Sequence, residues 1–485
     1  MDFPAGEVGV QRHLSISNLT TTSFSWRIIR QPAGSSAQLS LTNISNPTFT
    51  PDVPDLFILR FEGKDNLGRI AIDNISIRAG PPDVLGLSTS GLGTLSPNYS
   101  GTKLILGKSY TIAAKPNAGY IFAGWTGDIE SSTATLTFTM RSNLTLQANF
   151  IPDPFPSVAG VYQGLFFEEN SVTHQSSGFF AATITTKGTL SAKIQLAGKI
   201  YSLSGPLSPT GTIEKTIVRT GLSTLSAHLQ VDLNGGDFLS GQISDGTWTA
   251  NLIADRNIYS KTYPAALVAK YTLVFPGNTS SPQFPGGNGF GTLTTDALGG
   301  IKLAGTLGDG TKISQKTIRS KHSQWPFYVS LYAGNGSALT WLTFSGNSIT
   351  NAEGPVSWTK LPQSTSALYP AGFTNEVNAA GSTYAPTNGV PLLSFINGQI
   401  KFTGGNLVDF TNSFSIATND LVPLSSNKLT LSFTRTSGAF KGSFVNPATL
   451  KSTAFTGVLL QNQNAGYGLF SGTNRTGGAV LQTAP

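Results

Sequence analysis

Apolar and polar residues alternate with a period of two along much of this chain, as in Thr111-Ile112-Ala113-Ala114, Leu136-Thr137-Phe138-Thr139-Met140 and Lys428-Leu429-Thr430-Leu431-Ser432-Phe433. A pleated strand sends successive side chains to opposite faces, so this period places one face on a core and the other on solvent. Gly, Pro, Asn or Ser bounds each run and supplies the turns. No stretch sustains helical spacing, and helix is expected only as single turns. The fold class is therefore expected to be all-β.

At 485 residues the chain has room for three or four domains of about 100–200 residues each. Charged residues make up only 11% of it while aromatics reach 10% and Gly numbers 54, a mixture that suits strands and tight turns rather than disorder. The net charge of +7 is spread singly along the chain. Its densest group, Lys312, Lys316, Arg319 and Lys321, makes a weak stripe and not the clustered basic face that nucleic acid requires, so no nucleic-acid partner is expected. The chain has no cysteine, which excludes disulfides, thiolate metal sites and cysteine nucleophiles. No apolar run approaches the roughly 18 residues of a membrane helix, and no membrane insertion is expected. The opening Met1-Asp2-Phe3-Pro4 lacks the basic and apolar regions of a signal peptide, which suggests a mature or excised piece.

Residues 1–80 contain Phe24-Ser25-Trp26-Arg27-Ile28-Ile29, Phe49-Thr50-Pro51-Asp52-Val53-Pro54, Leu56-Phe57-Ile58-Leu59-Arg60-Phe61 and Asp65-Asn66-Leu67-Gly68. This segment resembles a PKD-type immunoglobulin-like domain. The resemblance implies a β-sandwich with Trp26 in its core, and it has two departures. Asp55 stands where that family usually has Gly, and little chain precedes Val8, so the first edge strand is expected to be incomplete. Residues 84–151 contain Gly91-Leu92-Gly93-Thr94-Leu95-Ser96-Pro97, Ala118-Gly119-Tyr120-Ile121-Phe122-Ala123-Gly124-Trp125-Thr126-Gly127 and Asn143-Leu144-Thr145-Leu146-Gln147-Ala148-Asn149-Phe150. They resemble the divergent InlB-type B-repeat of bacterial surface proteins, which implies a compact β module acting as spacer or adhesive element, with Trp125 in its core.

The prolines of Pro152-Asp153-Pro154-Phe155-Pro156 read as a short stiff linker. Beyond it, three weakly similar passages of strand, Gly turn and strand begin at Lys187-Gly188, Gly299-Gly300 and Ser437-Gly438. They predict two or three antiparallel β-barrel or sandwich lobes, over 158–268, 269–380 and 381–485, the last being a third lobe or closing strands. This tract, including Trp325-Pro326-Phe327-Tyr328 and Tyr369-Pro370-Ala371-Gly372-Phe373, resembles uncharacterised β-rich regions of large bacterial surface proteins, which implies no activity.

The four histidines, His13, His174, His228 and His322, are isolated and read as surface or hairpin residues. The carboxylates Glu168, Glu169, Asp255, Asp296 and Asp309 sit in turn-like or exposed contexts, although a glycosidase pair drawn from distant strands leaves no mark in spacing. Asp65-Asn66-Leu67-Gly68 and Ser244-Asp245-Gly246 are the best calcium loops, and turn chemistry is the stronger reading of both. Trp325, Tyr328, Trp341 and Trp358 fall in one lobe and are expected mainly in its core. Trp325, beside Pro326, and Tyr328 are the candidate glycan contacts, because sugars stack on exposed aromatic faces.

No catalytic residue, cofactor or metal is assigned. The leading expectation is a non-catalytic extracellular or cell-surface protein, structural or adhesive, contacting cell-surface or matrix polymers or copies of itself. Self-association would run through Gly478-Ala479-Val480-Leu481-Gln482-Thr483 as a strand donor to an uncovered amino-terminal edge, although closure of its own barrel is the stronger reading of that segment. The alternative is a carbohydrate-binding protein with a glycan partner, and the third reading is a glycan hydrolase.

Overall fold

The computed structural model describes all residues except 1, 10, 16–22, 81–82, 107, 267, 280, 345–351, 418–421, 423, 426–427 and 448. The protein is nearly all β, and it divides into two compact units, Met1–Asp153 and Pro154–Pro485. Helix among the described residues is confined to the single turns Phe155–Val158, Tyr332–Gly334 and Gln461–Gln463.

The first unit opens with a four-stranded sheet in the order Asp2–Glu7, Ile70–Gly80, Asp55–Lys64, Ser23–Arg30. Trp26 is buried, its ring centroid 5.1 Å from that of Phe61 and its indole N–H donated to the Ile44 carbonyl at 3.0 Å. The edge expected to be incomplete is in fact occupied: Asp2–Glu7 pairs parallel with Ile70–Gly80. An edge strand tolerates the missing N–H of Pro4, and the register shifts between Phe3 and Gly6. Asp55 has φ of 140°, a region that glycine adopts freely and other residues do not, which accounts physically for glycine being usual at this place.

Two three-stranded sheets follow. One holds Thr135–Thr139, Ser109–Pro116 and Gly93–Ser96, and the other Tyr120–Gly127, Thr145–Pro152 and Gly86–Ser90. Trp125, Phe138, Leu146 and Phe150 fill the space between them, and the Trp125 indole donates to the Ala134 carbonyl at 3.3 Å. Gly93 lies flat on the Phe150 ring, where a Cβ would stand 2.4 Å from a ring carbon. The expected linker is shorter than its prolines imply. Pro152 ends a strand, and Phe155–Val158 is a turn that belongs to the second unit, where the Val158 carbonyl accepts the Tyr162 hydroxyl at 2.6 Å.

The second unit contains three eight-stranded antiparallel sheets, running from Gly160–Phe167 to Thr249–Arg256, from Lys270–Phe275 to Phe373–Thr383, and from Asn397–Gly404 to Thr476–Thr483. In each the chain meanders and then returns, so that the first strand pairs with the eighth. The two outer strands of each sheet are consequently consecutive in the chain. In the first two sheets these outer strands, Lys199–Pro206 with Thr212–Ile217 and Lys312–Ile318 with Gln324–Leu331, curl towards each other and nearly close a barrel. The third sheet is a half-barrel.

Closure of the second barrel uses side chains where no main-chain ladder forms. Gln315 on one outer strand donates its Nε2 to the Pro326 carbonyl at 2.8 Å and accepts the Trp325 indole N–H at 2.9 Å. Its core holds Trp325, Phe327, Tyr271, Phe275, Phe344 and Trp358. The third core is built on phenylalanine, with Phe402 and Phe444 ring centroids 4.2 Å apart. The carboxy-terminal strand lies inside the third sheet, paired on both sides with Asn397–Gly404 and Ala465–Ser471. Gly478–Thr483 therefore closes its own sheet, the stronger of the two readings of this segment, and offers no unpaired edge as a strand donor.

Candidate functional site

Trp325 and Tyr328 lie on one strand, three residues apart, so the pleat directs them to opposite faces. Both faces are covered. Trp325 is fully buried in the second barrel, 5.4 Å from Phe327 and stacked on Phe344 at 6.5 Å. Tyr328 points out of that barrel onto the first, where its ring stacks on Phe179 at 6.4 Å beside Leu165 and Leu339. Burial pushes the Tyr328 phenol up to about 12. Neither ring presents a face to solvent, so the expected glycan contacts are structural residues: one fills a barrel and the other joins two barrels. Trp341 packs half-buried on the same joint, and Trp358 is buried with its indole N–H donated to the Tyr332 hydroxyl at 3.0 Å.

His174 lies in the hairpin turn between Gly160–Phe167 and Gly178–Ile184, as expected of a hairpin residue, but not at the surface. It is buried, with Nε2 2.9 Å from the Gly334 carbonyl and Nδ1 2.9 Å from the Ser337 hydroxyl. A carbonyl only accepts, so Nε2 carries a proton, and in the neutral ring Nδ1 accepts from Ser337. Both partners lie in the second barrel and His174 in the first. His13 and His228 are exposed, the latter 2.8 Å from Glu214, and His322 stands 3.5 Å from Asp255.

Among the carboxylates, Asp296 makes the expected turn, accepting from the Leu298 and Gly300 amides at 2.9 and 2.8 Å. Glu168 is half-buried and accepts the Ser176 hydroxyl at 2.5 Å, and Glu169 is exposed. Asp255 is buried on the strand Thr249–Arg256, contrary to expectation, whereas Asp309 makes the expected turn but is buried as well. Asp309 accepts from the Thr311 amide and hydroxyl, both at 2.9 Å, and from the Tyr332 hydroxyl at 2.6 Å. Burial and the Asp309 charge both push the Tyr332 phenol far above its ordinary range. Lys360 completes this cluster, with Nζ 4.9 Å from the Tyr332 ring centroid and its pKa lowered by burial against the opposing pull of Asp309.

The two loops weighed for calcium are closed by protein donors. Asp65 accepts from the Leu67 and Arg69 amides, both at 2.9 Å, and pairs with the Arg69 guanidinium at 2.6 Å. Asp245 accepts from the Thr247 amide at 3.0 Å and hydroxyl at 2.7 Å, and pairs with the buried Arg219 at 2.9 Å. Burial acts to raise the Asp245 pKa, but the Thr247 and Arg219 donors hold it well below the usual carboxylate range. Among the described residues no three His, Asp or Glu side chains are grouped to hold a metal. The basic stripe is likewise dispersed. Arg319 is buried 5.1 Å from the Tyr259 ring centroid, and Lys321 pairs with Asp237 at 3.1 Å.

The contacts between barrels are the groups that sequence spacing did not reveal. Gln163 of the first barrel accepts from the Thr317 hydroxyl at 2.8 Å and the Ile318 amide at 2.9 Å. Asp237 bridges Arg256 of its own barrel and Lys321 of the second. Between the second and third sheets, the Thr272 hydroxyl donates to the Leu459 carbonyl at 2.6 Å and that of Thr476 to the Gly308 carbonyl at 2.5 Å, beside a cluster of Val274, Val458 and Leu460. The three sheets thus form one body joined by buried polar and apolar contacts.

Comparison with known proteins adds one domain assignment. The family profile described as the divergent InlB B-repeat domain matches residues 84–154. That segment is similar to a B-repeat. No curated protein matches the chain. Among solved structures, a tryptophan-to-alanine mutant of transferrin binding protein B from Haemophilus parasuis aligns over 97% of this chain and 98% of its own, at 9% identity and a TM-score of 0.16. The isotype 1 transferrin binding protein B from serogroup B Neisseria meningitidis aligns over 94% and 88%, at 9% identity and a TM-score of 0.15. Likeness at these scores carries no functional argument.

Proposed function

We propose that the chain is a non-catalytic extracellular protein of the cell surface, structural or adhesive, that contacts cell-surface or matrix polymers. The observation that carries this reading is the B-repeat at 84–154, a module that resembles the repeats of bacterial surface proteins, in a chain that also holds a body of three docked β sheets. The fate of the polar side chains supports it. Asp245, Asp296 and Asp309 are engaged by turn donors, and Asp237, Gln163 and His174 by the joint between barrels. Rigid β bodies of this kind hold loops in fixed positions for contact. The amino-terminal sandwich, with Trp26 at its core, fits the same reading as a PKD-like module.

Incubating the purified chain with matrix polymer from producing cells tests the proposal. The chain is expected to sediment with the polymer while the polymer keeps its length over time. Shortening of the polymer, or a chain that stays in the supernatant, would contradict it.

A further inference from the structure

A cavity of about 650 Å³ opens where the second and third sheets meet. Its aromatic lining comes from Phe284, Tyr369 and Phe373, and its polar lining from Gln283, Asn474 and Arg475 with Thr374 at the side. No acidic side chain lines it. That volume falls within the range of about 300–1,000 Å³ common for small-ligand sites.

Arg475 precedes the last strand of the third sheet, and its loop is fixed by the Gly472 amide, which donates to the Arg475 carbonyl at 2.9 Å. The Arg475 Nε is buried and has no hydrogen-bond partner. A guanidinium donor withdrawn from water and left unmatched is costly, and its planar fork fits a carboxylate better than any neutral group. Arg475 itself is half-buried; elsewhere in this body Arg219 has Asp245, Arg256 has Asp237, and Lys360 has Ser366 and the Leu368 carbonyl, while Arg319, which lies over the Tyr259 and Phe344 rings, is also unmatched at Nε but lines no part of this cavity.

The floor is rigid and shared by both sheets. Tyr369 is buried, and its hydroxyl lies 3.0 Å from that of Thr476 and accepts the Thr476 amide at 2.9 Å. Tyr369 also has φ of 52°, a left-handed conformation that is strained for a bulky residue and disfavoured before proline. The surroundings hold it there, the Gly372 amide donating to its carbonyl at 3.1 Å. Strain of this kind is retained where the structure over-determines it, commonly at ligand sites. The Tyr369-Pro370-Ala371-Gly372-Phe373 run is thereby set along the wall of the cavity.

We propose that this cavity binds a uronate residue of an acidic polysaccharide. The sugar's apolar face lies against Phe284 and Pro370, its carboxylate pairs with Arg475, and its hydroxyls meet Gln283, Thr374 and Asn474. Amides and a hydroxyl around an aromatic wall suit a ring of vicinal hydroxyls, and the Arg475 guanidinium, with no acidic residue lining the cavity beside it, selects the acidic sugar over its neutral counterpart.

Calorimetric titration of the full chain with a galacturonate oligomer, the matching neutral galactose oligomer and benzoate tests the proposal. The galacturonate oligomer is expected to bind at least about tenfold more tightly than the neutral one, and Arg475→Gln to remove most of that preference. Phe284→Leu should weaken the acidic sugar while leaving the thermal transition in place. Equal affinity for the two sugars, or binding of galacturonate unaffected by Arg475→Gln, would overturn the site. Benzoate binding as tightly as the sugar would overturn the sugar assignment. The comparison of the two oligomers uses the unaltered chain, so it decides the matter even if a variant fails to fold. A negative titration removes the ligand and leaves the non-catalytic reading standing, because that reading is tested on the length of the polymer.

Discussion

The second and third sheets run similar eight-strand circuits but fill them with different chemistry. The second barrel is packed with Trp325, Trp358, Tyr271 and Tyr369, whereas the third is packed with Phe402, Phe444, Phe455 and Phe470. Indole and phenol groups bring a polar handle into the core, and each handle needs a partner. Gln315 serves Trp325 and Tyr332 serves Trp358, and Gln315 also bridges the two outer strands. In the third core Tyr384 brings one handle, donated to the Arg435 carbonyl at 2.6 Å, while its phenylalanines bring none. In the second barrel an aromatic residue reaches across the seam, a link with no counterpart among the phenylalanines of the third sheet.

Removing the largest of these side chains should break the comparison most strongly. Trp325→Ala is expected to cost about 3–5 kcal/mol through lost burial and a residual cavity, read as faster hydrogen exchange in peptides of Lys312–Ile318 and Gln324–Leu331. Exchange changes confined to peptides of the third sheet would contradict the role given to Trp325. Asp245→Asn should cost about 1.5–3 kcal/mol at neutral pH, because it weakens a charge-assisted pair with the buried Arg219.

The acid response of that pair has a definite sign. The folded pKa of Asp245 lies below the ordinary value of about 3.9, so its contribution is complete above that ordinary value and is lost as pH falls from there through the folded pKa. Denaturation midpoints of the native and Asp245→Asn chains should therefore converge on acidification. A gap that persists undiminished into strong acid would exclude this linkage.

Smaller substitutions sharpen the contrast between cores. Tyr332→Phe strips the Trp358 indole and the Asp309 carboxylate of one partner each and should cost about 1–3 kcal/mol, while Phe444→Leu in the third sheet should stay below about 1.5 kcal/mol. Equal effects in a chemical-denaturation series would show that the polar handles do not matter. Outside both sheets, Asp55→Gly should raise the stability of the first unit by about 1 kcal/mol, because relief of strain at φ of 140° exceeds the added freedom of the unfolded chain. A lower midpoint for that variant would refute the strain.

Much of this fold was legible because its determinants are local. Alternation exposed the strands, and Trp26 and Trp125 are core residues of their modules. The similar hairpin passages were visible too, but their equivalence was not. Lys187-Gly188 and Gly299-Gly300 join the second and third strands of their sheets, whereas Ser437-Gly438 joins the fourth and fifth of the third sheet. A glycine turn records its own backbone geometry and nothing of its place in the circuit.

The misread residues are those whose environment is supplied from far along the chain. A proline beside Trp325 suggests an exposed ring. It marks an outer strand, where Pro326 loses no ladder bond and its carbonyl meets Gln315 across the seam. His174 is buried by Gly334 and Ser337. Asp309 does make the turn its neighbours imply, and is then covered by Tyr332. The cavity at Arg475 combines the loops 282–284 and 367–374 with 474–475 and has no spacing to read.

The central claim is that Trp325 and Tyr328 build and join barrels and do not form a contact surface. Hydroxyl-radical footprinting of the intact chain, read by mass spectrometry, tests it most directly, with Tyr263 as the internal standard because its exposure is 74%. Tyr263 should be oxidised readily while Trp325 and Tyr328 stay protected until the second unit unfolds. Oxidation of Trp325 or Tyr328 in the folded chain at a rate comparable to that of Tyr263 would contradict the claim.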